Sequence, residues 1–179
     1  MTRFFLTSPS LDPWEFESKR LSLVRTGRVQ SRCTDSTDCF CEEIERMKTR
    51  TIRQTVFFKV TPHEVYEALM DPRKHAEFTG GKAVISRKIG GKINIYDGYI
   101  TGENVELLPD KKIVQLWKPD EGECWPSDHY SKATFAMKAE KGGTRLTFTQ
   151  TGVPVDCGDR FDTGWKENYW EPMKEMFEK

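Results

Sequence analysis

The chain lacks any long apolar run. Its longest apolar stretches are a few residues, against the roughly 20 that a membrane helix requires, so no span is drawn. It also lacks an excess of either charge. Lys plus Arg and Asp plus Glu each number 28 in 179 residues, which leaves no positive surplus to displace counterions from a polyanion and excludes nucleic acid as the primary partner. Cysteine is sparse and odd in number: Cys33, Cys39, Cys41, Cys124 and Cys157 lack the even, regular spacing of a disulfide framework, which points to a reducing, cytoplasmic setting. The N-terminus offers only Phe4, Phe5 and Leu6 before Thr7-Ser8-Pro9, too short for the core of a secretory signal. Ser18 to Ser31, with Lys19, Arg20, Arg25 and Arg28 and no acid, leaves organelle targeting open, and Asp12, Glu15 and Glu17 stand against it.

What is present divides into two unequal parts. Residues 1–50 show neither a period of two nor one of 3.6 and are rich in Ser, Thr and Arg, so they read as an extension without a fold of its own. Cys33-x5-Cys39-x-Cys41 is too few ligands for a tetrahedral zinc site, with no histidine before His63, so no metal and no cofactor is expected. The charges of Cys41 to Lys48 suit a short, marginal helix.

From Thr51 the texture changes. Thr51 to Val60 is rich in β-branched and aromatic residues and predicts a strand. Thr61-Pro62-His63-Glu64 then predicts a helix start, with Thr61 as cap, Pro62 in the first turn and Glu64 closing a capping box. Asp71-Pro72 ends that helix before a second over Arg73 to Phe78. Six strands follow, over Ala83–Arg87, Ile93–Ile95, Tyr99–Leu108, Ile113–Trp117, His129–Ala139 and Thr144–Gln150. They are separated by Gly90-Gly91, the hairpin signal Asp97-Gly98, Pro109-Asp110, the Pro119–Asp128 loop and Gly142-Gly143. Gly102 is placed to bend the long strand around it. Phe161, Trp165, Tyr169, Met173 and Phe177 recur every four residues as the apolar stripe of a terminal helix, which Pro172 should kink or break. Strand, two short helices, six antiparallel strands and a long helix describe an α+β, helix-grip fold, a curved sheet wrapped around its C-terminal helix.

Four segments also resemble a known family. They are Thr61 to Pro72; Gly90 to Lys92 with Gly98 to Glu103 and Leu108 to Trp117; Trp125 to Ser131; and Thr149 to Pro154 with Gly164 to Lys174. In that order they are similar to the C-terminal domain of activators of the heat-shock protein 90 ATPase, within the START-like or SRPBCC superfamily, and they cover nearly all of residues 51–179. The resemblance implies a co-chaperone that binds the chaperone's ATPase domains and favours their closed, ATPase-competent state. It also implies a separate N-terminal domain in a full activator, for which residues 1–50 are too short. The loop between Trp117 and Trp125 is longer than the resemblance leads one to expect.

Such a role needs a surface. A loop presenting Trp125 beside Asp128 and His129 has the composition of an interface anchor, the alternative being that Trp125 packs over the mouth of the sheet. Lys111, Lys112 and Lys118 offer charge to an acidic partner, or are solvated turns. Trp117, Phe135, Phe148, Trp165 and Tyr169 are placed to line a groove for a small hydrophobic ligand, or to fill a closed core. His63, His75 and His129 have no nucleophile motif beside them, so the residues read as a binding protein rather than an enzyme.

Overall fold

A computed structural model describes residues 47–179 apart from Glu121. The expectations for the extension, including its cysteines, lie outside the described residues. Of the helix expected over Cys41 to Lys48, only Met47 and Lys48 are described, and they are not helical.

Strand β1 (Thr49–Phe58) leads into α1 (Pro62–Met70) and α2 (Pro72–Thr79). Then come β2 (Val84–Ile85), β3 (Lys92–Ile95), β4 (Ile100–Leu108), β5 (Lys112–Pro119), β6 (Ser131–Glu140) and β7 (Gly143–Pro154). The chain closes with α3 (Gly158–Trp165), a wider π turn (Lys166–Trp170) and α4 (Glu171–Phe177). The strands form one antiparallel sheet in the order β1-β7-β6-β5-β4-β3-β2. Because β2 to β7 are consecutive neighbours, only β1 needs a long connection, and it closes on β7. Bulges at Arg50/Ile52 and Asn104/Glu106 add local twist, which curls the sheet.

The helix starts are as expected. Thir capping logic is local: the Thr61 hydroxyl accepts from the Glu64 N–H while the Glu64 carboxylate accepts from Thr61 N at 2.8 Å, and Asp71 accepts from the amides of Arg73 and Lys74 to start α2. These bonds satisfy amides that a helix leaves without partners.

Two turn expectations are corrected. The β3–β4 connection is not a two-residue Asp97-Gly98 hairpin but runs from Tyr96 to Tyr99, with Tyr96, Asp97 and Gly98 all at positive φ. It is drawn out because Asp97 exchanges bonds with Lys82. Gly102 is not the bend in β4, which falls at the Asn104/Glu106 bulge; a Cβ at Gly102 would strike the Leu116 carbonyl oxygen, so the glycine serves close strand approach.

The concave face carries the core. Phe135 and Phe148 stand opposite each other on β6 and β7, and Trp165 and Trp170 of the terminal helix lie over them. Three indoles are each taken by a strand glutamine: Trp117 donates to Gln115, Trp165 to Gln150 and Trp170 to Gln54. Those amides pass their own protons to Asn104, Ser131 and Asp162. A buried indole N–H left unpaired costs about 1–3 kcal/mol, so these pairs fix how each tryptophan faces the sheet.

The helix does not end at Pro172 but widens into the π turn just before it and continues into α4. Pro172 has no N–H for the Asn168 carbonyl, its partner one α-helical turn back. The Tyr96 hydroxyl donates to that carbonyl instead, at 2.8 Å, tying the β3–β4 loop to the helix. The π turn also resets the four-residue stripe, so that Trp165, Tyr169 and Met173 stay buried.

Candidate functional site

The site is the open end of the grip, where the β3–β4 loop, the β5–β6 loop and the outer face of α3 meet. Asp120 N donates to the Tyr99 carbonyl at 2.8 Å, which holds the two loops side by side. Between them and the helix lies a cleft of about 470 Å³, lined by Tyr96, Tyr99, Trp117, Phe161, Trp165 and Tyr169 among others. Three of the five expected liners are therefore in it. Phe135 and Phe148 are not, because they lie beneath Trp165 as part of the closed core. Tyr96, Tyr99 and Phe161 were missed; the first two sit in a turn, where strand alternation gives no facing, and Phe161 had been read only as the start of the helix stripe.

Of the two readings of Trp125, exposed anchor or packed indole, the structure takes the packed one. Trp125 is only 2% exposed. Its indole N–H donates to the His129 carbonyl at 2.9 Å, and its ring packs on Phe161 with centroids 5.0 Å apart. The physical reason is that the loop folds back on α3, so the indole is covered by Phe161, a residue of the cleft wall. His129 is half-buried and its Nε2 lies 2.6 Å from the Gly152 carbonyl; a carbonyl only accepts, so that nitrogen carries the proton. Around it, Pro126, Ser127, Asp128 and Tyr130 stand in solvent.

The lysines are not brought together. Lys118 stands at the cleft end with its Nζ 5.7 Å from the centroid of the Tyr130 ring. Lys111 and Lys112 lie at the other end of β5, about 20 Å away along the strand. There Lys112 pairs with Glu106 at 2.7 Å, and the neighbouring Asp110 meets His63 at 3.0 Å.

Sequence reasoning left His75 on a charged short helix, whereas the fold buries it completely. Its Nε2 is 2.6 Å from the Tyr169 hydroxyl and its Nδ1 has no partner. Burial pushes His75 down to about 4 and raises the Tyr169 phenol well above its usual range. Both groups are therefore neutral at pH 7. Donor and acceptor in that bond follow the tautomer: Nε2–H donating leaves the phenol proton without an acceptor, and the phenol O–H donating to Nε2 leaves the Nδ1 proton without one. The signal available beforehand was His75 and Phe78 at helical spacing on one face of α2. Tyr96, pinned to Asn168, is likewise pushed up to about 12 by burial.

Cys124 in the β5–β6 loop and Cys157 just before α3 form a disulfide, with Cα atoms 5.7 Å apart. Cysteine count and spacing gave no sign of it, because the two residues are 33 apart and become neighbours only when the loop folds onto the helix.

Sheet, terminal helix and cleft together define a helix-grip protein of the START-like class. Among solved structures, an HSP90 activator from Plasmodium falciparum superposes with a TM-score of 0.65 at 24% identity, over 72% of this chain and 96% of that one. A protein from Mesorhizobium loti does so with a TM-score of 0.62 at 21% identity. Residues 59–178 match the sequence model of the family described as "Activator of Hsp90 ATPase homolog 1-like protein", and the chain belongs to that family. It is 31% identical over 130 residues to an activator of 90 kDa heat shock protein ATPase homolog of Dictyostelium discoideum, covering 72% of this chain and 33% of the relative. It is 30% identical over 127 residues to the homolog 1 of Homo sapiens, covering 71% and 36%. The chain thus spans about a third of the length of these curated relatives.

Proposed function

We propose that residues 51–179 are a co-chaperone domain that binds the ATPase domains of a heat-shock protein 90 dimer and favours their closed state, by presenting a surface and without catalysis. The observation that carries this reading is the likeness of residues 59–178 to the Hsp90 ATPase activators along one unbroken stretch. The surface we assign to it is the cleft end, where Tyr99, Tyr130, Lys118, Asp128 and His129 ring the buried Trp125. Exposed tyrosines beside charge are the composition of an interface anchor. Lys111 and Lys112 form a separate patch that a second chaperone contact would use. A cytoplasmic setting belongs to the same proposal.

A partner shifts a conformational equilibrium only by its differential affinity for the two states. Residues 51–179 assayed by themselves offer few state-specific interactions, and a second contact tethered to them would add a roughly millimolar effective concentration. Stimulation by these residues alone is therefore weak. Calorimetric binding to purified chaperone, with and without a non-hydrolysable nucleotide, tests it: tighter binding to the nucleotide-loaded dimer is expected, weakened by Tyr130→Ala with Lys118→Glu. Equal affinity for both states, or none, overturns the reading.

The cleft supports a second reading, carriage of a small hydrophobic ligand between sheet and helix. Its volume and aromatic walls suit one. A lipid or metabolite co-purifying with the protein, together with absent chaperone binding, would promote this reading over the first.

A further inference from the structure

The β5–β6 loop is joined to the residue before α3 by a covalent bond whose two ends are unequal. Cys157 is 1% exposed, whereas Cys124 is half-buried in the loop. A thiolate from solution therefore reaches the Cys124 sulfur, and Cys157 is the sulfur that departs. Cys157 stands at the first turn of α3, with no side chain capping that helix. The next residue, Gly158, lies against the Arg50 side chain, which a Cβ there would strike. The Arg50 guanidinium is itself paired with Asp159, so the direction of attack rests on the difference in exposure between the two sulfurs' residues. Once reduced, Cys157 also has an acceptor in place, since its sulfur is 2.8 Å from the Cys124 carbonyl oxygen.

We propose that Cys124 and Cys157 form a reversible thiol–disulfide exchange site that clamps the β5–β6 loop to α3 when oxidised and releases it when reduced. An external low-molecular-weight thiolate attacks the Cys124 sulfur and breaks the protein S–S bond. This leaves a mixed disulfide on Cys124 and a thiolate on Cys157, which takes up a proton. A second external thiolate attacks the external sulfur of that mixed disulfide, releasing the low-molecular-weight disulfide and the Cys124 thiolate, which is protonated in turn. Two electrons pass from two external thiols to the protein disulfide, and the reverse sequence oxidises it. The loop that moves carries Trp125, so release loosens its ring contact with Phe161, which lines the cleft. This chemistry stands whether or not the chain binds a chaperone.

The test uses the full native chain, equilibrated in graded mixtures of reduced and oxidised glutathione, alkylated and mapped by peptide mass. The Cys124 and Cys157 peptides are expected to pass together from linked to doubly alkylated without denaturant. Glutathione should be trapped on Cys124 in Cys157→Ser and only poorly on Cys157 in Cys124→Ser. Proteolytic cleavage within residues 119–130 should be about tenfold faster for the reduced protein. The Cys124→Ser/Cys157→Ser chain should cleave at the reduced rate in either buffer, and circular dichroism reports whether it is folded. A bond that resists reduction until the protein unfolds, cysteines that stay unlinked in oxidised glutathione, or equal cleavage in both states overturns the proposal.

Discussion

Trp165 and Trp125 are almost equally buried, at 5% and 2% exposure, yet they belong to different kinds of structure. Trp165 sits on the terminal helix amid Trp117, Phe148, Tyr169 and Trp170, with centroids 4.1–5.3 Å away, and its N–H goes to a strand glutamine. Trp125 sits on a loop, touches the rings of His129 and Phe161, and gives its N–H to its own loop. Burial alone therefore does not measure what a side chain holds together. The first is shared by every layer of the core, whereas the second seals one edge.

Removing each residue sharpens that contrast. Trp165→Ala should lower unfolding free energy by about 3–5 kcal/mol, the range for a large aromatic deleted from a packed core, with the Gln150 acceptor left unpaired as well. A loss below about 1 kcal/mol in denaturant titration would place Trp165 outside the core. Replacing both Cys124 and Cys157 by serine should cost about 3–4 kcal/mol by the loop-closure entropy of a crosslink spanning this separation, read as the difference in unfolding free energy under oxidising conditions. Trp125→Ala should cost roughly 2 kcal/mol, nearer the value of area burial alone. Hydrogen exchange should then rise in residues 120–130 and leave β6 and β7 protected; uniform loss of protection would erase the distinction between the two tryptophans.

The same contrast has a pH arm. His75 belongs to the core side, and its folded value of about 4 lies below the ordinary 6.5. Between those values the unfolded chain binds the extra proton, so stability is full above pH 6.5 and falls as the pH drops towards 4. By pH 5 the loss should be about 2 kcal/mol. His75→Gln should flatten the dependence of the urea midpoint between pH 7 and 5, and an unchanged slope would mean that the imidazole is not held neutral. The smallest effect belongs to the seam between the two regions. Tyr96→Phe keeps the ring but removes the bond to the Asn168 carbonyl, and should cost about 1 kcal/mol. Pro172→Ala, which offers that carbonyl a helical donor, should make Tyr96→Phe milder; additivity of the two would sever the link between them.

The capping box at Thr61 and Glu64, the turns at Pro109-Asp110 and Gly142-Gly143 and the stripe from Phe161 to Phe177 were legible in sequence because each depends on residues within a few positions of one another. Periodicity sorted one face of each element from the other, and that was enough to derive a curved antiparallel sheet around a terminal helix. It was not enough to say which inward-facing aromatics close the core and which line a cleft. Phe148 and Trp117 obey the same alternation, and only the position of Trp165 over one and beside the other separates them. Trp125 stayed open between anchor and packed indole because a loop carries no period from which to infer facing. Cys124 and Cys157, His75 and Tyr169, and Tyr96 and Asn168 are pairs 33 to 94 residues apart. By itself the sequence determined the fold, since local propensity and alternation are written residue by residue. The tertiary structure alone decided the cleft, the Cys124–Cys157 bond and the buried histidine, because each is a contact between distant segments that exists only after the sheet has closed on its helix.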